Sequence, residues 1–315
     1  MTAYHEDLHP FKEPLRQKRI QNTLGVHDIV KSMLNRRSLL QAFAAAGLLP
    51  LTSPAAERAT PALAEPERLL EAYQRLSGSF DERLIIWWMS GTRYGVVDAQ
   101  STALYGMEVG MFHRWYQQPD GSFKAAFFEL TYYTDLSTGA LLREFLNPYT
   151  GESNKVRQVR LGPEIRTLTT TGLISPDNPM VHSYRSSLGP AITSGEKIWI
   201  PTSVEATIKF PKPEAPTILL NIYTTVEGNM DDAFNKNLLS APCTFQFNNV
   251  LKWEPWMNMG DRPGHMMSTA AGRKMESLND LPAPYLAMAD EVHGKYIADP
   301  LASLEKYASR LRASS

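Results

Sequence analysis

Leu104-Tyr105-Gly106-Met107-Glu108-Val109-Gly110-Met111-Phe112-His113-Arg114-Trp115-Tyr116-Gln117, then Gln118-Pro119-Asp120-Gly121, then Ser122-Phe123-Lys124-Ala125-Ala126-Phe127-Phe128-Glu129-Leu130-Thr131-Tyr132-Tyr133 is the stretch that decides the fold. Two long aromatic and β-branched runs flank a Pro-Asp-Gly turn, whose proline presets one backbone angle and whose glycine tolerates positive φ. This predicts an antiparallel hairpin. Asp135-Leu136-Ser137-Thr138-Gly139 predicts a second turn, Leu141 to Leu146 a third strand, and Asn147-Pro148-Tyr149-Thr150-Gly151 the turn that ends it. Three successive strands in a meander follow from that reading.

Working outward, Leu84-Ile85-Ile86-Trp87-Trp88-Met89 is rich in strand formers, Gly91 breaks it, and Arg93 to Val97 resumes. Further strands are predicted near 155–160, 165–171, 180–186, 196–201, 203–210, 217–226 and 242–253. Pro66 to Leu76 predicts a helix, with Pro66 in the first turn, Glu67 at its positive end, and Leu69, Leu70, Tyr73 and Leu76 along one side. Asp231 to Leu239 predicts a short crossing helix, Trp256 to Asp280 a long loop, and Pro300 to Arg312 a C-terminal helix. Many strands with turn signals at short intervals indicate a mainly β chain: a single antiparallel β-barrel or curved β-sandwich with short N- and C-terminal helices.

The first 64 residues read differently. Arg36-Arg37-Ser38-Leu39-Leu40 precedes a modestly apolar, alanine-rich run, and Ala62-Leu63-Ala64 has the small-x-small pattern of a cleavage site. Paired arginines before such a run match a bacterial twin-arginine export signal. The plain alternative is an amphipathic helix with an incidental Arg-Arg pair. The run is too weak, with Pro50 and Pro54 inside it, for a stable membrane anchor. Met1 and Met33 are both possible starts. The expectation is a leader over 1–64, cleaved after Ala64, and one domain over 65–315, exported to the periplasm or outside the cell through the twin-arginine machinery.

Over 315 residues the net charge is −1, with 32 basic and 33 acidic side chains. Division at Ala64 leaves a leader at +3 and 251 residues at −4. An acidic domain argues against a nucleic-acid binder held by phosphate contacts. The single cysteine, Cys243, excludes an internal disulfide and any multi-cysteine metal site.

Phe128 to Asp135, Gly139-Ala140-Leu141-Leu142 and Asn147-Pro148-Tyr149-Thr150-Gly151-Glu152 resemble the DUF1838 family. So do the upstream blocks Trp88-Met89-Ser90-Gly91-Thr92, Tyr94-Gly95 and Gly106-Met107-Glu108-Val109-Gly110. This is a bacterial and fungal group of unknown function whose bacterial members often carry export signals. The resemblance is strongest over 84–152 and implies no catalytic residues.

Chemistry must therefore come from the residues. No Gly-rich phosphate loop, Gly-x-Ser-x-Gly or His-Glu-x-x-His occurs, which disfavours nucleotide cofactors and serine-hydrolase chemistry. No cofactor and no metal is expected. A metal site would have to assemble in space from His113, His265 and a carboxylate such as Glu129. The polar residues inside strands are more informative, because residues two apart share a face. Glu129, Thr131 and Tyr133 face one way, and Phe128, Leu130 and Tyr132 the other; His113 shares a face with Trp115. If the Phe128 face packs outward, Glu129 and Tyr133 line the barrel interior, where burial tunes a carboxylate for acid–base work. On that reading Glu129 or His113 is the base, Tyr133 the hydroxyl donor and Arg143 the anion-orienting group. The alternative is a surface ion pair between Glu129 and Arg143.

Trp253, Trp256, Met257, Met259, Met266 and Met267 surround Asn258, Asp261, Arg262 and His265. This apolar loop either closes over a barrel mouth or packs against a sheet end. The first reading gives an aromatic-lined pocket, with Trp88, Tyr94, Asn147, Tyr149, Trp253, Trp256, Met259 and His265 as binding residues. The function expected is enclosure of an apolar or aromatic small molecule, with cofactor-independent lyase or isomerase chemistry; the rival is a non-catalytic carrier. Ionisable groups converging deep inside the barrel favour the first, and groups confined to its rim favour the second.

Overall fold

Alternation of inward and outward side chains, read along paired strands, closes the chain on itself. The computed structural model describes residues 65–174, 181–209 and 217–312. After the helix α1 (Pro66–Ser77) come β1 (Ile85–Val97), β2 (Gln100–Gln117), β3 (Phe123–Thr134), β4 (Glu144–Leu146), β5 (Ser153–Lys155), β6 (Val159–Thr169) and β7 (Gly172–Leu173). Next are β8 (Val181–Leu188), β9 (Ile192–Ser194), β10 (Lys197–Ile208), β11 (Ile218–Asn229), the short helix α2 (Met230–Phe234), β12 (Thr244–Leu251) and β13 (His265–Met275). Two helices, α3 (Ala283–Ala298) and α4 (Pro300–Arg312), end the described chain. All described residues fall within the compact unit Arg58–Ser315.

The sheet runs β7-β6-β3-β2-β1-β13-β12-β11-β10-β8, antiparallel throughout, with β9 added beside β10. Its two ends meet where the Leu173 N–H donates to Ser186 Oγ at 2.9 Å. The result is a nearly closed β-barrel. The predicted hairpin between β2 and β3 forms, with Gly121 at φ 82°.

Five expectations change. Gly91 does not break β1, which continues through it. Gly91 faces inward opposite Ala270, and an added Cβ would collide with β13, so glycine serves close strand approach rather than a turn. The predicted third strand of the meander is short and belongs to a separate β4–β5 ribbon; β6 takes the place beside β3. The predicted loop from Trp256 to Asp280 contains β13, which sits centrally between β1 and β12. The predicted strands 196–201 and 203–210 are one strand, β10, and the helix near 231–239 is the five-residue α2.

Two apolar cores result. One fills the barrel and includes Trp87, Met89, Tyr105, Val109, Tyr133, Val226, Phe245 and Met266. The other lies outside the wall, where Phe112, Phe128, Leu130 and Tyr132 pack beneath Tyr285, Met288, Leu304 and Leu311 of α3 and α4. Gly110 leaves the seat for the Tyr285 ring. The Phe128 face therefore does pack outward, which turns Glu129, Thr131 and Tyr133 inward. Helix α1 covers one end of the barrel, where Trp87 Nε1 donates to the Ser77 carbonyl at 2.7 Å. The β4–β5 ribbon and the segment 252–264 cover the other.

Candidate functional site

At the mouth formed by residues 144–155 and 252–264, polar and aromatic side chains converge inside the wall. Tyr133 Oη donates to Glu254 Oε1 at 2.9 Å. Arg93 Nη2 donates to Tyr133 Oη at 3.4 Å, and Arg93 Nη1 lies 3.8 Å from Glu254 Oε1. Arg93 and Tyr133 are buried, and Glu254 is partly buried. Burial raises the Tyr133 hydroxyl well above its ordinary value; Arg93 opposes this and Glu254 adds to it. Burial alone lowers Arg93, but Tyr133, Tyr105 and Glu254 around it win, and it is held as a firm cation.

Tyr105 extends this group into an aromatic wall, its ring centroid 4.9 Å from Tyr133, 5.4 Å from Phe145 and 5.6 Å from Trp256. The ribbon and the mouth segment are tied together by Asn147, whose Nδ2 donates to the Met257 carbonyl at 2.8 Å and approaches Met259 Sδ at 3.3 Å. Tyr149 packs on Trp253 at 5.1 Å.

Deeper along β3, Glu129 accepts from Thr131 Oγ1 at 2.8 Å. Burial raises its carboxyl, while Arg166, Thr131 and Arg93 pull it back. Arg166 pairs with Glu164 at 2.8 Å and lies 3.3 Å above the Phe127 ring. The opposite wall is less filled: Thr202, Val204, Ile222, Thr224 and Phe247, whose pairing registers them with inward Ile200 and Val226, are only partly buried. A cavity of about 490 Å³ lies elsewhere, at the α1 end of the wall, lined by Lys197, Asp232, Cys243, Arg273 and Lys274 among others.

The residues expected from sequence separate into three groups. Glu129, Tyr133, Trp256 and Met259 are brought to the interior or its mouth. Asn147, Tyr149 and Trp253 reach the mouth as fastenings: Asn147 spends its amide on backbone, and Trp253 Nε1 donates to the Arg262 carbonyl at 3.3 Å. The others lie apart. Trp88 turns outward and donates to Glu108 at 2.9 Å. Tyr94 shares the outward face of Met267 by register. Arg143 is exposed outside the barrel and pairs with Glu291, so neither an anion-orienting role in the lumen nor an ion pair with Glu129 holds.

His113 faces inward but is boxed by Phe127 at 4.8 Å, Trp115 at 5.8 Å and Trp87 at 6.3 Å, with neither ring nitrogen hydrogen-bonded. Burial, with Arg166 adding like charge, pushes it down to about 3, so it is neutral. His113 pairs with Ile85 at one end of β1 and exposed His265 with Val96 at the other. At about 3.3 Å per residue the two are some 35 Å apart, and no metal site joins them.

Sequence reading missed Arg93, Tyr105 and Glu254. Arg93 and Tyr105 were legible by alternation, since Trp87, Met89 and Arg93 share a face once β1 is continuous. Glu254 was not, because a carboxylate beside two tryptophans in a loop carries no periodicity. Residues 36, 37 and 64, and with them the export signal and its cleavage point, lie outside the described residues.

No curated protein and no solved structure matches the chain. A family model described as a protein of unknown function (DUF1838) matches residues 81–177 and 217–309, which covers β1 to β7, β11 to β13 and the helical cover of the outer wall. The chain belongs to the DUF1838 family.

Proposed function

We propose that this barrel encloses an apolar, aromatic-bodied small molecule and carries out cofactor-independent acid–base chemistry on it, as a lyase or isomerase. The observation that carries the reading is the buried Arg93–Tyr133–Glu254 array beside the Tyr105–Phe145–Trp256 wall. Arg93 and Tyr133 are buried just inside the mouth and Glu129 lies deeper along β3, which favours catalysis over carriage. In this reading Glu129, its carboxyl raised by burial, takes and returns a proton, and Tyr133 supplies the hydroxyl. Arg93 replaces Arg143 as the group that orients developing negative charge, because it is inward and cationic. The aromatic wall holds the ligand body and Met259 supplies adaptable packing.

The test is Glu129→Gln and Tyr133→Phe on a substrate found by screening apolar ligands that quench the mouth tryptophans. Loss of turnover with retained binding supports the reading. Unchanged turnover in both variants overturns the chemistry, and binding with no turnover of any bound ligand favours the carrier.

The second element is location. We propose export by the twin-arginine route to the periplasm or beyond, carried by Arg36-Arg37 before an apolar run and by Ala62-Leu63-Ala64.

A further inference from the structure

We propose that Arg93 and Ser268 form the seat of a neutral carbonyl oxygen, so that the lumen selects apolar molecules bearing a ketone-like group over plain hydrocarbons and over carboxylates. This rests on the lumen-binding reading above and names its ligand class. Arg93 and Ser268 are directly paired across β1 and β13, and Ser268 is paired in turn with Asn249 on β12. All three are buried and point inward. Arg93 Nε and Nη1, Ser268 Oγ and Asn249 Oδ1 have no hydrogen-bond partner.

Buried polar atoms are almost always paired, and each unpaired one costs stability. The adjacent donors of Arg93 and Ser268, directly paired across β1 and β13, therefore point to a ligand group that completes them. That group must offer an acceptor oxygen, because Arg93 only donates and the Ser268 hydroxyl beside it can donate to the same point. Charge then decides its class. Glu254 already faces Arg93 at 3.8 Å, too far for a hydrogen bond but close enough to balance its charge. A carboxylate would bring a second anion beside Glu254 in an enclosed interior, where unbalanced charge is expensive. A neutral carbonyl accepts the same N–H and O–H donors without adding charge. The Tyr105 and Trp256 rings lie along the mouth side of this seat and suit an aromatic body.

The experiment is fluorescence titration of the full chain with three probes sharing one ring system: naphthalene, 2-acetylnaphthalene and 2-naphthoate. The expected result is that 2-acetylnaphthalene binds about tenfold tighter than either other probe, the scale of one well-made hydrogen-bonded contact. Ser268→Ala is expected to cut that preference several-fold and leave naphthalene unchanged, and Arg93→Met to remove it. Ser268→Ala deletes an unpartnered hydroxyl, so the test stands even where Arg93→Met fails to fold. Equal affinity for naphthalene and 2-acetylnaphthalene, a preference for 2-naphthoate, or a preference untouched by Ser268→Ala overturns the carbonyl seat and leaves a lumen ligand standing. Failure of all three probes to bind overturns the seat and the lumen reading together.

Discussion

Tyr133 and Glu254, 121 positions apart in the chain, meet through a 2.9 Å hydrogen bond that joins the third barrel strand to the segment covering the mouth. The bond fixes the mouth and also holds Arg93 between two partners. Tyr133→Phe leaves Glu254 without its donor inside the wall. The expected cost is about 1–3 kcal/mol, a fall of roughly 3–10 °C in melting temperature for a domain of this size. Thermal unfolding followed by circular dichroism checks it; an unchanged melting temperature would show that water satisfies Glu254 equally well.

Glu129 makes the opposite kind of prediction. Its carboxyl is raised by burial, with Arg166 and Thr131 opposing, so the native state holds the proton to higher pH than the unfolded chain. Its contribution to stability is therefore full below the ordinary carboxylate value and is lost as pH rises through the raised one. Glu129→Gln is expected to leave stability unchanged near pH 4 and to increase it at pH 8. Denaturant titrations at the two pH values test this, and a loss of stability at pH 8 contradicts it.

His113 acts on the acid side. Burial and Arg166 push it down to about 3 from 6.5, so the unfolded chain binds its proton first as pH falls. Stability from this group is present above about pH 6.5 and declines below it, by about 1.4 kcal/mol per pH unit between about pH 6 and 4. His113→Phe, which fits a box already made of Trp87, Trp115 and Phe127, is expected to flatten that decline. An identical acid limb in the variant excludes His113 as its source.

Asn147→Ala cuts the ribbon from the mouth segment. The Met257 carbonyl loses its donor, at an expected cost of about 1–3 kcal/mol. Proteolysis within 252–264 is expected to accelerate in the variant. By contrast, Arg143→Ala removes an exposed pair with Glu291 and is expected to change stability by no more than about 0.5 kcal/mol.

Export has a separate test. Arg36→Lys with Arg37→Lys is expected to leave unprocessed precursor in the cytoplasm, as seen by immunoblotting of cell fractions; normal processing would refute the twin-arginine route.

The barrel was legible wherever period-two alternation ran unbroken. The β2–β3 hairpin, with its Pro-Asp-Gly turn, places Glu129 and Tyr133 on one face by alternation alone, and the helical cover shows which face that is. The β1–β2 hairpin was harder, because its turn uses Asp98 and Ala99 at φ 50° and 60°, residues that seldom take that conformation. Strand β13 was hidden for a different reason. Its inward Ser268, Ala270 and Gly272 are small because they pack against β1 and β12, and small residues read as loop when neighbouring strands are unknown. Arg93 is obscured by Gly91, which reads as a breaker in sequence and marks close strand approach in the fold. Glu254 reaches Tyr133 across 121 positions and Arg93 across 40, contacts that one-dimensional periodicity does not encode.

The central claim is that the ligand lies inside the barrel mouth, and nuclear Overhauser contacts from bound 2-acetylnaphthalene test it most directly. The account predicts contacts from the probe to the ring protons of Tyr105, Tyr133 and Trp256. Contacts confined to Cys243, Lys274 and their neighbours at the α1 end would contradict it.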